Sequence, residues 1–79
     1  MKLEILYTDN SYKAIKVNEA TIDQSDKKLY INTFKNQVMT IDLNHKIIKE
    51  IRLDKKTLYR YDGYIKELDE HVYTIINKI

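Results

Sequence analysis

Hydrophobic and polar residues alternate with the period of a strand over most of the chain. In Lys2 to Thr8, Leu3, Ile5 and Tyr7 share one face and Lys2, Glu4 and Leu6 the other, which predicts a half-buried strand. Asp9-Asn10-Ser11 forms a turn cluster. Tyr12 to Val17 predicts a second strand, apolar only toward its end and therefore near a sheet edge. Ala20-Thr21-Ile22 predicts a short strand and Asp23-Gln24-Ser25-Asp26 a loop. The clearest pattern follows. Leu29 to Phe34, Val38 to Leu43 and Ile47 to Leu53 read as three strands joined by tight turns at Lys35-Asn36-Gln37 and Asn44-His45-Lys46. Met39, Ile41 and Leu43 are then expected to meet Ile47, Ile51 and Leu53 across a hairpin, with Thr40, Asp42, Glu50 and Arg52 on a wet opposite face.

Period changes near the C-terminus. Thr57 to Tyr61 reads as a short strand, and Asp62-Gly63 then admits two readings. Asp-Gly can turn a type I′ hairpin, with Tyr64 to Leu68 pairing back on Thr57 to Tyr61. Alternatively, Asp62 caps a helix running from Tyr64 to Ile79. On a helix, Ile65, Leu68, Val72, Ile75, Ile76 and Ile79 form one apolar stripe, whereas a strand over His71 to Ile79 has no clean face. Periodicity therefore favours the helix. The expected fold is α+β: an antiparallel meander of about six strands, a small and barrel-like sheet, closed by one C-terminal amphipathic helix. In element order alone this resembles the pleckstrin-homology-like domains, with no motif attached, and a fold carries no function by itself.

Size and composition narrow the picture. A chain of 79 residues is expected to form a single domain in which nearly every large apolar residue serves one core. Hydrophobic residues make up 43% and charged residues 33%, the balance of a globular chain. Cysteine is absent, so neither disulfides nor thiolate metal sites are expected. The N-terminal segment lacks the continuous apolar run of a signal peptide, and no window suits a membrane span, so a cytoplasmic protein with no membrane partner is expected. Lysine outnumbers arginine 12 to 2 and Ile, Asn and Tyr are abundant. These residues have A/T-rich codons, which suggests a low-GC bacterium or a phage or mobile element.

Candidate catalytic chemistry is sparse. Ser11 and Ser25 lie in turn-like segments, His45 lies in a turn, and His71 borders the apolar stripe. Asp69 and Glu70 would diverge on a helix. With one Gly there is no phosphate loop. The Asp23 to Asp26 acids lack the internal Gly and closing Glu of a calcium loop. We therefore expect no catalytic residues, no cofactor and no metal.

Binding has better material. The chain carries seven Tyr and one Phe, and Tyr59, Arg60, Tyr61 and Tyr64 concentrate locally, the residue types that dominate protein-protein hot spots. They are the expected contact surface of a non-enzymatic protein-binding module, such as a phage or mobile-element regulator or inhibitor of a host protein. The same tyrosines are also candidates for the aromatic core. The alternative is a small nucleic-acid-binding domain that sets Lys46, Lys49, Lys55, Lys56 and Arg60 on phosphates with interleaved Tyr stacking on bases. Against it, the net charge is only +2. A third candidate partner is a second copy of the chain, pairing through the edge at Tyr12 to Val17 or the apolar C-terminus.

Overall fold

The computed structural model describes residues 1–76, and they form seven strands with no helix among them: β1 (Lys2–Tyr7), β2 (Tyr12–Asp23), β3 (Lys28–Thr33), β4 (Val38–Asp42), β5 (Ile48–Leu53), β6 (Lys56–Ile65) and β7 (Glu70–Ile75). All pair antiparallel in one sheet of order β4-β3-β2-β1-β5-β6-β7, curled into a half-barrel. The class is all-β, which corrects the expected α+β fold.

The C-terminal helix is replaced by a hairpin. β6 continues through Asp62-Gly63, the chain reverses at Lys66 to Asp69, and β7 pairs back on β6 from Ile65↔Glu70 to Tyr59↔Ile75. Both readings of Asp62-Gly63 therefore fail. The dipeptide forms a bulge between Tyr61 and Gly63, and Gly63 takes φ 125°, a backbone that side chains disfavour. Of the expected stripe, Ile79 lies outside the described residues, and Leu68 and Ile76 are exposed. Val72, Tyr73, Thr74 and Ile75 are β-branched or aromatic, and the sheet gives them neighbours that a helical stripe would not. Without the helix, the resemblance to pleckstrin-homology-like domains loses its basis.

The second correction concerns β4 and β5, which are not a hairpin. β1 to β4 form one meander and β5 to β7 another, joined where β5 pairs with β1 (Leu3↔Leu53, Ile5↔Ile51). Asn44-His45-Lys46 therefore belongs to a crossover, and the short link from Asp42 to Ile48 is possible only because the sheet curls. Leu43, buried, donates its N–H to the Lys27 carbonyl, and Thr8 binds the crossover through its N–H to the Ile47 carbonyl and its hydroxyl to the Lys46 carbonyl. β2 is also longer than expected, absorbing Ala20-Thr21-Ile22 past a bulge at Asn18.

The curl gives the core one side. Leu3 and Ile5 of β1, Val17, Ala20 and Ile22 of β2, Leu29 and Ile31 of β3, Ile51 and Leu53 of β5 and Tyr59 of β6 are buried together, capped by Leu43 and Ile48 from either end of the crossover. The five hairpin turns each contain left-handed residues, at Asn10, Lys27, Asn36, Asp54 with Lys55, and Asp69. Asp54-Lys55 supplies both central residues of a two-residue turn at positive φ, the I′ geometry that matches strand twist.

Candidate functional site

Strand alternation divides the expected contact residues. On β6, Tyr59 points into the core and is 0% exposed, Arg60 points outward, and Tyr61 returns to the inner face half-buried. By alternation alone Tyr64 would face outward. The extra residue in the Asp62 bulge reverses the parity, so Tyr61↔Tyr73 and Tyr64↔His71 form successive pairs on the same inner face.

The crossover completes this face. His45 stacks on His71 with ring centroids 4.0 Å apart and on Tyr61 at 4.9 Å. Tyr61 shares a hydrogen bond with His71 Nδ1 (2.9 Å), and Tyr73 one with His45 Nδ1 (3.0 Å). Tyr64 packs 5.0 Å from His71 and donates its hydroxyl to Asp69 in the β6-β7 turn, which holds the phenol above its usual pKa. From the β2-β3 turn, the Lys27 ammonium lies 5.0 Å over the Tyr73 ring, a cation-π distance. Three chain segments distant in sequence thus meet in one patch of aromatic and imidazole rings. His45 is held below its ordinary pKa, first by desolvation and then by the positive fields of His71, Lys46 and Lys27.

The outer face is different in kind. Arg60 bonds Asp62 through Nε (2.8 Å), and Thr74 donates to the same carboxylate (2.6 Å); Thr74 first and Arg60 second hold Asp62 below the usual carboxylate range. Arg52 pairs with Glu50 at 2.7 Å, and Thr57 donates to Glu50 at 2.9 Å. Both arginines are therefore matched by acids.

Of the first expected set, Tyr61 and Tyr64 come together, Tyr59 lies beneath them in the core, and Arg60 is on the opposite face. The basic set is dispersed. Lys46 sits in the crossover before β5, whereas Lys55 and Lys56 sit at the β5-β6 turn, separated by the length of β5, about 20 Å. Lys49 lies on β5 between them, and Arg60 is in its ion pair. Sequence reasoning missed His45, His71, Tyr73 and Lys27. The available signal was the alternation His71-x-Tyr73-x-Ile75, a mixed aromatic and apolar strand face with polar atoms that a dry core would leave unpaired.

Chemically the patch offers ring faces, hydroxyls and imidazole nitrogens. Ser11 and Ser25 donate their N–H groups to Asp9 and Asp23 within turns. Among the described residues no group of three or more His, Asp or Glu is placed to hold a metal ion, and no helix is long and apolar enough to cross a membrane. No family model, curated protein or solved structure matches the chain.

Proposed function

We propose that this chain is a non-enzymatic protein-binding module whose contact surface is the inner face of the β6-β7 hairpin together with His45. The observation that carries the reading is the set Tyr61, Tyr64, His71 and Tyr73 on one face, running from half-buried to 49% exposed at Tyr64, with exposed Ile65 and Leu68 at the same end. Tyrosine and histidine rings pre-ordered by stacking lose little entropy on binding, and each retains a polar group for a partner. The module would act by occupying a partner's surface, as a regulator or inhibitor does.

The test is affinity capture from the source lysate, with and without nuclease and at two salt concentrations, using wild type and the double variant Tyr64→Ala, Leu68→Ser. Both substituted side chains are exposed, so the fold should survive. A stoichiometric protein that resists nuclease and salt and is lost in the variant is the expected result. Retention of that protein by the variant places the contact elsewhere. Lys27 and Lys46 beside the rings favour one second reading, single-stranded nucleic acid stacked on the same platform. Recovery of nucleic acid that falls steeply with salt would select it.

A further inference from the structure

Strand β4 ends the sheet, and its backbone pattern shows which groups it leaves open. Thr33 donates its N–H to the Gln37 carbonyl, and Leu43 donates its own to the Lys27 carbonyl. Between these two bonds the register is regular, with Ile31↔Met39 and Leu29↔Ile41 in the same phase. Antiparallel pairs alternate between exchanging and not exchanging hydrogen bonds. Met39 and Ile41 therefore turn their backbone groups toward β3, and Val38, Thr40 and Asp42 turn theirs to the open side.

That edge lacks the usual guards. Val38 to Asp42 contains no Lys, no Pro and no bulge, and its one charge, Asp42, stands at the end. Val38 is 77% exposed and Met39 37%, although Met39 shares its face with the buried Ile31. The core thins out at β4 and stops there uncovered. Two other stretches of backbone are open: the opposite edge strand, β7, which begins at Glu70 and carries His71 and Tyr73 of the ring patch, and the first half of β2, which carries Lys13 and Lys16.

We propose that β4 pairs with β4 of a second copy, antiparallel about a two-fold axis at Thr40. In this register every open N–H and C=O at Val38, Thr40 and Asp42 meets its complement. Thr40 pairs with its own symmetry mate, and Val38 pairs with Asp42 of the other copy. On the inner face Met39 lies against the second copy's Ile41, extending the row that Ile31 begins. The charges also agree. Asp42 of each copy is brought toward the other's hairpin end, which carries Lys35, and the two Asp42 side chains stay at opposite ends of the seam. A register centred on Met39 instead would leave Asp42 without a strand partner.

The experiment is mass determination by light scattering or sedimentation from micromolar to millimolar concentration. Wild type should move from 9.5 kDa toward twice that value. Thr40→Lys sets two like charges face to face at the axis, while in the monomer its side chain points to water. It should stay monomeric with an unchanged circular dichroism spectrum. Ala14→Lys, on the open half of β2, should dimerise like wild type, and backbone amides at Val38, Thr40 and Asp42 should gain exchange protection on dimerisation. A wild type that remains monomeric throughout, or a dimer that survives Thr40→Lys, overturns the proposal.

Discussion

Tyr59 fills the centre of the core with its ring, yet its hydroxyl has no hydrogen-bond partner. Burial, with Tyr73 and Tyr61 beside it, pushes the phenol up to about 12. A buried polar group without a partner opposes folding, so Tyr59→Phe should stabilise the protein by about 1 kcal/mol in denaturant titrations. The same change carries a second signature. Because the folded phenol holds its proton more tightly than the ordinary value of 10, stability should decline as pH rises from 10 to about 12. That contribution to the decline should vanish in the Phe variant. Truncation to Ala instead opens a cavity, costing about 3–5 kcal/mol, so loss of binding in that variant would report unfolding rather than a contact.

At the scale of one element, β6 shows how a single inserted residue decides which face a side chain joins. Without the Asp62 bulge, Tyr64 would face outward beside Arg60, and the ring platform would stop at Tyr61. Gly63 serves this bulge through its backbone alone, since a Cβ there meets nothing within 4 Å while φ is 125°. Gly63→Ala should therefore cost about 1–3 kcal/mol with no steric clash to relieve. Chemical denaturation measures the loss, and a neutral result would show that the bulge tolerates an ordinary residue. Strand periods were legible in β1, β3 and β5, where buried positions are separated by wetter ones, and in β4, whose apolar and polar residues alternate although none is buried. They were legible in β6 only over Thr57 to Tyr61 and not in its second half or in β7, because a bulge breaks the period of two and because His71 and Tyr73 count as neither polar nor apolar in a simple pattern.

For the whole molecule, the decisive contact joins the crossover to the β6-β7 hairpin through His45. Lys46 and Lys27 face it from the crossover and the β2-β3 turn, His71 stacks on it, and the hydroxyl of Tyr73 bonds its Nδ1. Among the described residues, the carboxylate tied into the patch is Asp69, which Tyr64 engages. With the folded pKa of His45 below the usual 6.5, the unfolded chain binds a proton first as pH falls. The contribution of His45 to stability should be intact above 6.5 and lost progressively below it. Thermal unfolding across pH 8 to 5, compared with His45→Gln, checks this, and identical profiles for the two proteins would remove His45 from the account.

Local pattern by itself determined that this is a small strand-rich chain and where most of its strands and turns lie, because those depend on alternation and turn chemistry within a few residues. It placed Leu3, Ile5, Ile51 and Leu53 on buried faces but also Met39 and Ile47, which are exposed, and not Ile48, which is buried. Its C-terminal sixteen residues, read by the same local rules, pointed to a helix. Tertiary structure decided against it, because β7 obtains its hydrogen bonds from β6 and its ring contacts from His45, some thirty residues earlier. The pairing of β1 with β5 and the curl of the sheet are also non-local, and no sequence window contains both partners. The candidate site follows from them: Tyr61 and Tyr64 could be singled out by their residue type, but only the curl brings His45 and Lys27 to the same rings.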